Sequence, residues 1–196
     1  MTRIIGGTAK GRKVATPPGD GTRPTTDRVR EALFSALESQ VGSLHGLRVL
    51  DLYAGSGAVG LEAASRGAVA VTAVESDRRT AALVTENART LRLPVDVLAQ
   101  PVARVLAARP RAPYDVVFAD PPYPMPAEEV SEALVLLVEN GWLAAGAAVV
   151  VERGRRSVEP SWPPALGEPR QKKYGETVLW YLRRAHEDDD GQPAAT

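Results

Sequence analysis

Two short stretches carry residue types able to do chemistry. The first runs Asp51-Leu52-Tyr53-Ala54-Gly55-Ser56-Gly57-Ala58-Val59-Gly60, an acidic residue inside the end of an apolar run followed by a glycine-rich turn. Glycines there let the backbone pass through positive φ and let a ligand reach main-chain N–H groups with no Cβ in the way. The second is Asp120-Pro121-Pro122-Tyr123, a carboxylate beside two prolines and an aromatic ring. A planar exocyclic amine is a poor nucleophile because its lone pair is delocalised into the ring. Acceptors on its two N–H bonds, the Asp120 side chain and the Pro121 main-chain carbonyl, favour a pyramidal nitrogen with its lone pair free to attack. Pro121 and Pro122 fix φ and bring no N–H to compete, while Tyr123 offers a face on which an extruded base stacks.

The glycine loop admits two ligand classes, and charge separates them. Gly55-x-Gly57-x-x-Gly60, with Glu75 at the end of the next apolar run, satisfies the dinucleotide fingerprint. A pyrophosphate on this loop would lie close to Asp51, and like charges repel. A ligand with an ammonium and a sulfonium group is attracted instead, and Glu75 can accept from ribose hydroxyls. S-adenosylmethionine has all of these. The loop from Tyr53, Ala54, Gly55, Ser56 and Gly57 to Gly60 is therefore read as its cradle. Asp51 holds the amino group directly or through water, and Asp120 borders the same space. An NAD-dependent oxidoreductase would use the glycines and Glu75 but leave Asp51 and Asp-Pro-Pro-Tyr without a purpose. A silent RNA-binding protein would have no need of Asp120.

The elements that must position these residues are legible in the periodicity. Apolar runs at 47–52, 70–75, 95–99, 114–119 and 147–152 read as strands. Helical spacing appears after Thr26 or Asp27 (Val29, Ala32, Leu33, Ala36 and Leu37 on one face), from Leu61, and over 77–91, 102–109 and 127–140. Continuous apolar strands separated by amphipathic helices predict a doubly wound, mostly parallel α/β sheet covered on both faces. In such sheets ligands bind at the carboxyl ends of the strands, so Asp120 should face the glycine loop across one crevice. The stretch 170–174, the turn Gly175-Glu176 and the stretch 177–182 read as a final antiparallel hairpin. That ending distinguishes the methyltransferase variant, the class I S-adenosylmethionine-dependent Rossmann-like fold, from the dinucleotide one.

Composition narrows the function further. The 196 residues suit one domain with short extensions: a basic arm or small hairpin over 1–22, a methyltransferase domain over 23–184, and an acidic, disordered tail over 185–196. There is no cysteine, and the two histidines, His45 and His186, stand in no ligand spacing, so no metal site is expected. The apolar run 143–151 is too short to span a bilayer, and the basic N-terminus lacks the apolar core of a secretory leader. A cytoplasmic, monomeric protein without a membrane contact is the expectation. Net charge is zero, yet residues 1–30 hold seven basic and two acidic residues, a net of +5, leaving −5 on the remainder. Arg3, Lys10, Arg12, Lys13, Arg23, Arg28 and Arg30 are accordingly read as contacts to RNA phosphates. Arg153, Arg155, Arg156, Lys172 and Lys173 are secondary candidates for the same contacts, with a solvated loop the preferred reading of each.

Four stretches together resemble the bacterial methyltransferases that modify the exocyclic N2 of a guanine in 16S ribosomal RNA, the RsmD-like family. They are Arg3-Ile4-Ile5-Gly6-Gly7 with Gly11-Arg12, the block Arg23-Pro24-Thr25-Thr26-Asp27-Arg28-Val29-Arg30-Glu31, the glycine loop with Asp120 to Tyr123, and Lys173-Tyr174-Gly175-Glu176-Thr177. The loop and Asp-Pro-Pro-Tyr are shared by many amino-methyltransferases, including those acting on adenine N6 in RNA or DNA. The Arg-Pro-Thr-Thr-Asp-Arg-Val-Arg-Glu block is more particular. The resemblance implies S-adenosylmethionine at the glycine loop, a target guanine at Asp120 and Tyr123, and 16S ribosomal RNA in a small-subunit particle as partner. Where related enzymes place an acidic residue on the adenine amino group, this chain offers Gln100, which can accept through its amide oxygen.

Overall fold

The computed structural model describes residues 2–17 and 26–185. A small antiparallel hairpin, β1 (Thr2–Arg3) and β2 (Lys13–Val14), comes before α1 (Asp27–Val41). Strand and helix then alternate: β3 (Arg48–Leu52), α2 (Ala58–Ser65), β4 (Ala70–Val74), α3 (Arg78–Leu91), β5 (Val95–Leu98), α4 (Val102–Leu106), β6 (Tyr114–Ala119), α5 (Ala127–Glu139) and β7 (Leu143–Gly154). Two antiparallel strands follow, β8 (Arg170–Tyr174) and β9 (Thr177–Arg183).

The main sheet has the order β5-β4-β3-β6-β7-β9-β8. Its first five strands are parallel, and β9 returns antiparallel against β7. The chain steps outward from β3 to β5, then crosses back to place β6 on the other side of β3. That reversal opens a crevice at the carboxyl ends of β3 and β6. This is the class I methyltransferase architecture, with the antiparallel hairpin in the expected place.

Alternation along each strand sorts the core into two layers. Leu50, Val117 and Val149 pack with Leu134 and Leu137 of α5. Val49, Phe118 and Val150 face the other way, against Leu33 and Phe34 of α1 and Ala63 of α2. Helix α1 starts where its cap chemistry says it should: the Thr26 hydroxyl accepts from the Val29 N–H at 3.3 Å, and Asp27 lies in the positive first turn. Most boundaries lie within a residue or two of the sequence expectation and three lie further off, the first being α2, which begins at Ala58 rather than Leu61. Helix α4 ends at Leu106 rather than 109: the helical donor to the Leu106 carbonyl would be residue 110, a proline with no N–H, and Asn140 Nδ2 and Trp142 Nε1 donate to that carbonyl instead at 2.8 and 3.2 Å. Strand β7 begins at Leu143, pairing with Tyr114 ahead of a register irregularity that the apolar pattern does not mark.

The N-terminal segment takes the small-hairpin form that the sequence allowed, docked on the body by the buried carboxylate of Glu62 of α2, which is 0% exposed, and the departure lies in the basic residues around it. The two Glu62 oxygens accept from the Ile5 and Gly6 N–H groups, both at 2.7 Å, and from Arg66 Nε at 2.9 Å. Gly7 is required by this docking: its φ is +75°, and a Cβ there would fall 1.8 Å from the Ser65 carbonyl oxygen. Arg30, read as an RNA contact, is instead 1% exposed. Its guanidinium donates to Thr2 Oγ1 at 2.9 Å, to Asp27 Oδ1 at 2.9 Å and to the Arg3 carbonyl, and stands 3.8 Å from Glu62. A buried charge requires compensation, so Arg30 ties α1 to the hairpin and is unavailable to phosphate. Arg12 also holds the hairpin to the body, donating to the Thr90 and Leu91 carbonyls at 2.6 and 3.2 Å where α3 ends, but unlike Arg30 it stays exposed. Arg23 lies outside the described residues, as does the acidic stretch of the tail.

Candidate active site

The glycine loop begins with Tyr53, whose φ of +60° is a left-handed conformation costing a non-glycine residue about 1 kcal/mol. The turn then closes on itself: the Ala54 N–H donates to the Val74 carbonyl at 2.9 Å and the Gly57 N–H to the Ala54 carbonyl at 2.8 Å. Gly57 caps α2 with φ +77°, and a Cβ there would meet Val84 at 2.6 Å. Only glycine fits. The Ser56 carbonyl accepts from Asn87 of α3 at 3.3 Å, fixing the far side of the loop.

Four acidic residues converge on this edge. Asp51 is 1% exposed and accepts the Gly60 N–H at 2.8 Å, so strand and helix are locked to each other through it. Glu75, at the end of β4, accepts from Gly55 N–H at 2.9 Å with one oxygen and from Asp77 N–H at 2.8 Å with the other. Asp120 follows β6, its N–H donating to the Leu52 carbonyl at 3.3 Å. Glu152 lies on β7, and the register that pairs Ala119 with Val151 puts it level with Asp120. Alternation from Val49, Phe118 and Val150 turns Asp51, Asp120 and Glu152 toward the α1 and α2 face together. Gln100 is exposed just past β5, where the Leu98 carbonyl also receives the Glu75 N–H at 3.1 Å.

Crowding like charges away from water has the expected electrostatic result. Burial pushes the Asp51 carboxyl up to about 7, against the Gly60 hydrogen bond that lowers it, with the Glu75 charge adding to the rise. Asp120 is held well above the ordinary carboxylate range by burial, then by the charges of Glu152 and Asp51, with Arg153 opposing. Burial and the Glu129 carboxylate push the Tyr53 phenol up to about 12. Such a site is short of positive charge. A cationic ligand relieves it and a pyrophosphate worsens it, so the donor set fits the sulfonium and ammonium of S-adenosylmethionine.

The Asp-Pro-Pro-Tyr segment leaves β6 at this edge. Pro121 is buried, Pro122 is exposed, and the Met125 N–H donates to the Pro122 carbonyl at 2.9 Å, closing a turn. Tyr123 is 71% exposed, with its ring edge against Gly154. Arg153 corrects the solvated-loop reading: it is 7% exposed, inside β7, and donates to the Met125 carbonyl at 2.9 Å. Sequence reasoning also missed Glu152 and Glu62. Glu62 is a lone charge inside an apolar run and Glu152 is the first charge at the end of one, and that interruption was the available signal. Of the other cations, Arg3, Lys10, Lys13 and Arg28 have exposed side chains.

The family described as conserved hypothetical protein 95 matches residues 2–183. The chain belongs to this family. Ribosomal RNA small subunit methyltransferase D of Escherichia coli K12 is 38% identical over 189 residues, covering 96% of this chain and 93% of that protein. The Haemophilus influenzae protein of the same name is 40% identical over 154 residues, covering 76% of this chain and 77% of its own length. The solved structure of yhhF from Escherichia coli superposes with a TM-score of 0.82 at 38% identity, covering 95% of this chain and 99% of that one. Fold and kinship together make the chain a methyltransferase. Among the described residues no helix is long and apolar enough to cross a membrane.

Proposed function

We propose that this protein transfers a methyl group from S-adenosylmethionine to the exocyclic N2 of a guanine in 16S ribosomal RNA, acting as a cytoplasmic monomer on the small subunit or its assembly intermediate. The observation that carries the reading is the carboxylate-rich crevice at the switch point, with Asp120 beside two prolines and an exposed tyrosine. The names of the similar proteins, ribosomal RNA small subunit methyltransferase D, support the substrate.

S-adenosylmethionine supplies an electrophilic methyl on a sulfonium. The loop 53–60 receives its methionine end, Asp51 and Glu75 balance its charge and bind its ribose, and Gln100 stands on the adenine side. Asp120 in its ionised form would accept from one guanine N2–H while the Pro121 carbonyl accepts from the second. Tyr123 stacks on the base. Positioning and a preorganised field would supply the rate enhancement; the N–CH3 bond forms as the S–CH3 bond breaks, S-adenosylhomocysteine leaves, and the amine proton passes to Asp120 or to solvent. In this reading residues 23–184 are the methyltransferase domain, the segment 1–22 is an RNA arm, and Arg3, Lys10, Lys13 and Arg28 meet phosphates.

The test is methyl transfer from labelled S-adenosylmethionine to small subunits from a strain lacking this protein, followed by nucleoside analysis. Label is expected in N2-methylguanosine. Label in methyladenosine would move the reaction to another amino group, and none in any nucleic acid would sink the substrate assignment.

A further inference from the structure

Two sequence stretches far apart in the chain, the start of α1 and the β8–β9 turn, have no part in the crevice above, yet they meet. Between them lies a cleft of about 360 Å³ lined by Thr26, Arg28, Val29, Lys173, Tyr174 and Gly175. Its volume falls within the range of small-ligand pockets. Its chemistry is specific. Arg28 and Lys173 are exposed cations on opposite sides, and Tyr174 is a half-buried ring packed against the core beneath α1. The neighbouring carboxylate of Asp27 is already engaged by Arg30 and by the Thr2 hydroxyl at 2.8 Å, so it does not neutralise the cleft. The turn is held in place, since the Arg155 N–H donates to the Glu176 carbonyl at 2.7 Å.

The sheet fixes where this cleft stands relative to the crevice. Asp120 is level with Glu152, which pairs with Leu179 of β9, which pairs with Lys172 of β8. Three strand spacings of about 4.8 Å, or roughly 14 Å, separate the strand of Asp120 from that of Tyr174. Both open at the same end of the sheet. A strand of RNA with its target base at Asp120 therefore passes the cleft within a nucleotide or two.

We propose that the cleft receives a nucleotide flanking the target guanine, its base stacked on Tyr174 and its phosphate held between Arg28 and Lys173. The proposal rests on the RNA-methyltransferase reading. An aromatic ring with two cations suits any base, because stacking and phosphate attraction carry no base code. The cleft thus sets the register of the strand and leaves selection of the amine to the crevice.

Kinetics with small subunits from a strain lacking this protein test it, using wild type, Tyr174→Ala, Tyr174→Phe and Lys173→Glu, alongside S-adenosylmethionine affinity. Tyr174→Ala should raise KM for subunits about tenfold, the scale of removing one base stack, with Tyr174→Phe within about twofold of wild type. Lys173→Glu, an exposed change that spares the core, should raise KM and lower the salt slope by about one, the share of a single phosphate. Cofactor affinity should hold in all three. Unchanged KM in Tyr174→Ala and Lys173→Glu overturns the proposal while leaving the methyltransferase reading intact. Equal losses in Tyr174→Ala and Tyr174→Phe overturn the stacking, and cofactor affinity falling in step with KM makes the residues structural. A wild type that methylates no ribosomal RNA removes both readings.

Discussion

Among the described residues, buried charge gathers in two regions, and the two are built on opposite plans. Around Glu62, every charge has its complement: two backbone N–H groups, Arg66 and Arg30 surround a carboxylate that no solvent reaches. At the carboxyl edge of β3, β6 and β7, Asp51, Asp120 and Glu152 crowd together with Arg153 as the neighbouring cation, and two of these carboxyls are driven upward in pKa. The first arrangement stabilises the fold it sits in. The second opposes it and is relieved by a positively charged ligand, which is the mark of a site kept for function.

Breaking each region should give a different phenotype. The largest effect expected is on turnover: Asp120→Ala should lower kcat by about 10³-fold, in line with removal of a preorganised group at the reacting atom. Its thermal unfolding midpoint should hold or rise, because a like charge leaves the crevice. Steady-state kinetics with calorimetric cofactor binding check this, and a midpoint that drops sharply would place Asp120 with the structural charges. Glu62→Ala should do the reverse, costing about 3–5 kcal/mol of stability in denaturant unfolding by stranding Arg30. Activity per folded molecule should change little by comparison.

The pH dependence sharpens the contrast. Asp51 has its folded pKa raised from 3.8 to about 7, so its contribution to stability is present below the lower value and is lost as pH rises through the upper one. A cationic ligand that favours the ionised carboxylate releases a proton on binding below about pH 7. S-adenosylmethionine affinity should then rise with pH up to about 7, by at most about tenfold per unit, and Asp51→Asn should flatten the profile. Titration calorimetry at several pH values, in buffers of different ionisation heat, reads both slope and proton release. A flat wild-type profile would mean Asp51 is already ionised without ligand.

The smallest effects belong to the surface. Lys10→Glu and Lys13→Glu should each weaken binding to small subunits and lower the salt slope by about one, as expected when a cation no longer neutralises its phosphate. Cofactor affinity should not move.

How much of this was legible in the chain follows from where each residue's constraint lies. The alternation of apolar strands and amphipathic helices, the Thr26 cap, the glycine loop and the terminal hairpin are local patterns, and each reappears in the fold. Asp51 and Asp120 could be placed at one edge because strand ends in a parallel sheet share that edge. The fate of the cations was not local. Nothing near Arg30 in sequence reveals Glu62, which lies on another helix, and without that partner a cation in a charged helix reads as solvent-facing. Arg153 was hidden likewise, because it looks like the start of a basic loop and is in fact the last buried residue of a strand beside Asp120.

Mass spectrometry of 16S ribosomal RNA from cells lacking this protein, complemented with wild type or with Asp120→Ala, probes the proposed methyl transfer at the crevice itself. One N2-methylguanosine should be lost on deletion, restored by wild type and not by Asp120→Ala, with both proteins present in equal amount. Restoration by Asp120→Ala would contradict the role of the crevice, and an unaltered methylguanosine pattern in the deletion strain would contradict the function itself.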